Sequence, residues 1–106
     1  MINISIFKHN DLVIGFEANG HAGYAKNGKD IICSATTVLF ITTINSLENL
    51  TEVKIEYRVD EGYAKCKLID EPNSATQLLL ESMLIGLTGI LETYGKKYIN
   101  LKFEEV

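Results

Sequence analysis

Alternation of apolar and polar residues, the period of a strand with one buried face, breaks off twice in this chain. Each break gives way to a stretch of about twenty residues, too long for a strand and apolar around much of a helix. Ile2, Ile4 and Ile6 alternate with Asn3 and Ser5. Past the turn-forming His9-Asn10-Asp11, Leu12, Ile14, Phe16 and Ala18 alternate with Gly15, Glu17 and Asn19, which predicts a hairpin. The pattern returns further on. Val53, Ile55, Tyr57 and Val59 alternate with Lys54, Glu56, Arg58 and Asp60, and beyond the Asp60-Glu61-Gly62 turn Ala64, Cys66 and Leu68 alternate with Lys65 and Lys67.

Between the hairpins, the run from Ile31 to about Asn49 places Ala35, Val38, Leu39, Ile41, Ile44 and Leu47 so widely that a mostly buried helix is expected. Thr36, Thr37, Thr42 and Thr43 lower its intrinsic propensity, so packing must hold it. After the second hairpin, Glu71-Pro72-Asn73-Ser74 opens a helix to about Tyr94 with Leu79, Met83, Leu87, Ile90 and Leu91 on its apolar face. Gly86 and Gly89 offer it a close-approach surface, for a neighbouring helix or a second copy. Gly95 stops it, and Tyr98 to Phe103 form a last strand with Ile99, Leu101 and Phe103 on one side. The expected fold is α+β: one domain over residues 1–106, a mixed sheet with two helices packed on one face, in the order ββαββαβ.

A chain of 106 residues buries a modest share of its surface, which makes a second copy a natural partner. Its net charge of -4 argues against sequence-independent nucleic-acid binding, which needs a surplus of Lys and Arg, and suits a basic partner. No basic-plus-apolar leader follows Met1 and no uninterrupted apolar run reaches ~18 residues, so a cytoplasmic protein without a membrane span is expected. With two cysteines and two histidines and no C-x-x-C spacing, free thiols and no metal or other cofactor are expected.

The segment from Gly20 to Lys29 has neither period, and Gly20, Gly23 and Gly28 mark it as a loop of unusual length for so small a domain. Asp30 stands where a helix N-cap belongs, which puts Cys33 in the first helical turn. There, unpaired N–H groups and the helix dipole favour a thiolate and offer donors to an oxyanion. His21, across the loop, is a candidate proton acceptor. Asp30 has a possible second role in orienting His21, although capping is the simpler one. Each residue taken alone has a plainer reading: a cysteine on an apolar helix is a small core residue, and a histidine at a strand end is a loop side chain. Cys66, between Ala64 and Leu68 on an apolar strand face, is expected in the core, and His9 in solvent.

The stretch G-H-A-G-Y-A-K-N-G-K-D-I-I-C-S-A, residues 20 to 35, closely resembles the signature of the ribosomal-processing cysteine protease family, Prp. The resemblance extends to chain length and element order. It implies a catalytic dyad of His21 and Cys33, supported by Asp30, with Gly20, Gly23, Tyr24 and Gly28 as candidates for contacting substrate. It also implies a homodimer that removes the short N-terminal extension of large-subunit ribosomal protein twenty-seven, a basic substrate, by cutting after paired aromatic residues. Members often carry a small run ending in Ser after the Cys; here the run is Ser34, Ala35, Thr36, Thr37. The competing expectations are a ribosome-associated module that holds a peptide without cutting it, and a thiol redox sensor, for which no resolving cysteine lies near Cys33.

Overall fold

Asn10 and Asp11 both take positive φ, 50° and 65°, the pairing that a type I′ turn requires, and so close the tight hairpin of β1 (Ile2–His9) and β2 (Leu12–Asn19). The elements that follow are α1 (Ile31–Leu50), β3 (Ile55–Asp60), β4 (Tyr63–Leu68), α2 (Ser74–Tyr94) and β5 (Ile99–Glu105). This computed structural model describes residues 1–26 and 30–106. The five strands form one sheet in the order β3-β4-β2-β1-β5, antiparallel except where β5 runs parallel to β1. The expected ββαββαβ order and mixed sheet are both present.

β1, β2 and β4 turn Ile4, Ile6, Phe16, Ala18, Ala64 and Cys66 toward the helices, where Ile32, Leu47, Leu80, Met83 and Leu87 complete the core. The Phe16 and Phe40 rings stack at 5.3 Å, joining sheet to α1. Beyond the last β2–β4 pair, the Gln77 side chain of α2 takes over the ladder. Its amide accepts from the Val13 N–H and donates to the Val13 carbonyl, each at 2.8 Å. Asn73 and Thr76 start α2 with a reciprocal capping box.

Burial of α1 is narrower than its composition suggests. Ile32, Thr36, Phe40, Thr43, Ile44 and Leu47 face inward, while Ile31, Val38 and Ile41 are exposed. A helix lying on a single sheet can cover only one stripe, so the rest of its apolar circumference is left outside. The buried threonines are accommodated because Thr36 Oγ1 donates to the Ile32 carbonyl at 3.0 Å and Thr43 Oγ1 to that of Leu39 at 2.7 Å. Both helices have the length and apolar content to cross a membrane, yet each lays a row of core residues on the sheet. Of the two helix glycines, a Cβ at Gly86 would meet Leu39 at 2.9 Å, whereas Gly89 faces open space.

Gly15 is demanded by the sheet itself, since a Cβ there would lie 2.5 Å from the Cys66 carbonyl oxygen, which is backbone and has no side-chain freedom to yield. Gly15→Ala is expected to destabilise the protein by about 2–3 kcal/mol in urea unfolding through strain between β2 and β4. An unchanged midpoint would show that the ladder adapts without cost.

Candidate active site

Asp30 closes the start of α1 with extended backbone and a buried carboxylate. Its Oδ1 accepts from the N–H groups of Ile32 and Cys33 at 3.1 and 3.0 Å, and its Oδ2 accepts from the Tyr24 N–H at 3.1 Å. One side chain thus caps the helix and ties the preceding loop to it. Two of the N–H groups that the sequence offered to a thiolate or oxyanion are consequently occupied. A third, that of Ser34, donates to the Asp30 carbonyl at 3.1 Å. The donor that reaches the half-buried sulfur is the Ala22 N–H, at 3.1 Å from Cys33 Sγ.

The loop leaves β2 through Gly20, whose φ of +102° and close approach to the Met1 carbonyl leave no place for a side chain. Its N–H donates at 2.9 Å to the carbonyl of Gly62 in the β3–β4 turn. His21 is exposed, its ring resting against that turn. His21 and Cys33 line one cleft of about 800 Å³. Ser34, Thr37 and Ile41 of α1 form one wall, and Val59, Gly62 and Tyr63 of the second hairpin form the other. Among the described residues no hydrogen bond joins the imidazole to the thiol. No described group of three or more His, Cys, Asp or Glu side chains is placed to hold a metal ion.

The loop candidates separate. Gly20 and Gly23 line the cleft, Gly28 lies outside the described residues, and the Tyr24 ring turns to Tyr94 and Tyr98, meeting them edge-on at 5.6 and 5.3 Å. Thr37 lines the cleft, whereas the Thr36 hydroxyl is committed to the carbonyls of Ile32 and Cys33. Val59 and Gly62 are wall residues that the sequence reading passed over. Nothing in their local pattern marks them, because the hairpin that carries them reaches the loop only once β4 has paired with β2.

The family model described as Cysteine protease Prp matches residues 1–100. The chain belongs to the Prp cysteine protease family. A Ribosomal processing cysteine protease Prp from Bacillus subtilis is 30% identical over 101 residues, covering 89% of this chain and 90% of that one. The crystal structure of the Staphylococcus aureus ribosomal processing protease Prp with a covalently linked product peptide superposes with a TM-score of 0.91 at 27% identity. It covers 98% of this chain and 100% of that one. The same S. aureus protease with a substrate peptide gives 0.85 at 26% identity, with the same coverage of both chains.

For a Prp cysteine protease, the electrostatics around the thiol run against the activation expected at a helix start. Burial pushes the Cys33 thiol up, the Ala22 N–H counters it, and the Asp30 carboxylate pushes it up further; the net direction is upward. Asp30 itself would be raised by burial, but the N–H groups of Cys33, Tyr24 and Ile32 hold it below the usual carboxylate range. In this conformation, then, Asp30 is charged near neutrality and Cys33 is a neutral thiol. Cys66, pushed up to about 12 by burial and then by the charge of Glu48, is inert under the same conditions.

Asp30→Asn preserves one acceptor for the helix N–H groups and removes the charge. Its Cys33 thiol is expected to ionise at lower pH and to be alkylated by iodoacetamide about three- to tenfold faster at pH 7.5. A rate equal to or below that of the unaltered protein would show that the carboxylate does not hold the thiol neutral.

Proposed function

We propose that this protein is a cytoplasmic endopeptidase that removes the short N-terminal extension of large-subunit ribosomal protein twenty-seven, with Cys33 as nucleophile and His21 as general base. The observation that carries the reading is the meeting of His21 and Cys33 on one cleft, in a fold that superposes on a Prp solved with substrate and product peptides. The cleft lining is mixed, and beside Ser34, Thr37, Asp60 and Glu61 the side chains of Val38, Phe40, Ile41 and Val59 offer apolar surface for an aromatic residue before the scissile bond.

Since burial and Asp30 keep the thiol neutral, the imidazole must come within reach of the sulfur to take its proton. Sγ then bonds to the carbonyl carbon, whose electron pair moves onto oxygen. As the tetrahedral intermediate collapses, the imidazolium returns the proton to the departing amine. Water, deprotonated by the same imidazole, cleaves the resulting thioester and restores the thiol. Asp30 acts as the helix cap that places Cys33, as its hydrogen bonds to the first turn and to Tyr24 support.

Incubation under reducing conditions with a peptide carrying paired aromatic residues tests this reading. The unaltered protein is expected to cut after the pair. Cys33→Ala should bind without cutting, and His21→Ala should cut at least about 10²-fold more slowly. Binding without cleavage by the unaltered chain would instead establish a peptide-holding module.

The working unit is a homodimer joined through the outer helix faces, where Leu78 and Ile85 of α2 are 73% and 74% exposed and Ile31 of α1 is also bare. A chain of this size gains most from covering such a surface with its own copy. Sedimentation should give twice the chain mass, and Ile85→Lys should give monomers with the same circular dichroism. A monomeric unaltered chain at micromolar concentration would refute the dimer.

A further inference from the structure

We propose that Gly62, in the turn between β3 and β4, is a positioning residue for His21, its missing side chain leaving the space in which the imidazole rests. This inference builds on the reading of His21 as the base. An alanine Cβ at Gly62 would lie 2.9 Å from His21 Nε2, 3.2 Å from Cε1 and 3.6 Å from Cδ2, so one edge of the ring lies directly over the glycine. The Gly62 carbonyl also accepts the Gly20 N–H at 2.9 Å. The turn therefore holds His21 twice, by the backbone one residue before it and by the ring itself.

Its positive φ does not account for this glycine. Gly95 likewise has a positive φ, +89°, but a Cβ there would meet nothing within 4 Å; its glycine serves backbone conformation alone. Gly62, at +69°, serves both conformation and space. A methyl group on it would push the imidazole off the turn, and the hairpin that carries the turn is the wall of the cleft opposite α1. To take the proton the imidazole must swing from this seat to hydrogen-bond distance of Cys33 Sγ. The seat sets where that movement starts and ends, and an error of about 1 Å at its end is enough to cost about 10²-fold in rate.

The test compares Gly62→Ala with Gly95→Ala, both of which place alanine at positive φ. Measured quantities are kcat and KM on the aromatic-pair peptide, thermal stability, and the His21 imidazole resonances at one fixed pH. Gly62→Ala is expected to lower kcat about 10²-fold with KM changed less than about threefold, and to shift the His21 resonances. Gly95→Ala is expected to lose stability only. If Gly62→Ala does not fold, Gly62→Asn, which tolerates positive φ, is measured in its place. An unaltered kcat, or His21 resonances that do not move in the folded variant, overturns the positioning role. Should His21→Ala retain full activity, the base reading fails by itself, and the resonances still decide whether Gly62 places the ring.

Discussion

The buried Asp30 carboxylate is the contact on which the site depends. It is 7% exposed and accepts three backbone N–H groups, two from the first turn of α1 and one from the loop before it. Burying a charge is costly unless it is hydrogen-bonded, and here three backbone donors compensate it. The result is a helix start and a loop joined at one point. That joint brings the Ala22 N–H to Cys33 Sγ and sets the sulfur at the edge of the cleft.

The same contact gives the thiol its resting character. A helix N-terminus favours an anion, but a carboxylate already occupies this one and takes the donors a thiolate would have used. The negative charge beside Cys33 then opposes ionisation. A thiol held this way stays neutral until a base approaches, which limits its reaction with stray electrophiles. His21 stands on a different support, the β3–β4 turn, and nothing in the described structure bonds it to the sulfur.

Helices on one side of a five-stranded sheet leave two kinds of apolar surface. The inner stripe of each helix is consumed by the core, and the outer stripe of α1 and α2 remains bare in the single chain. At the far end, β3 is an edge strand scarcely reached by the helix layer, so Tyr57 and Val59 stay open. The cleft occupies the gap between that edge and α1, so Val59 from one side and Phe40 and Ile41 from the other face it beside the polar groups of its lining.

Local pattern was sufficient for much of this protein. Alternation marked the four hairpin strands, Asn73 and Gly95 bounded the second helix, and Asp30 announced both the start of α1 and the placement of Cys33 in its first turn. These are effects of residues within four or five positions of one another, and a sequence displays them directly. Tertiary structure decided the rest. Which stripe of the nearly all-apolar α1 faces inward depends on the sheet beneath it, and the direction of the Tyr24 ring depends on Tyr94 and Tyr98, seventy or more positions away. The Gly62 contact with His21 requires the second hairpin to pair beside the first. The neutral state of the Cys33 thiol was also hidden. The residues responsible were in view, but the upward direction came first from the burial of the sulfur and then from the Asp30 carboxylate beside it, and both are set by the fold.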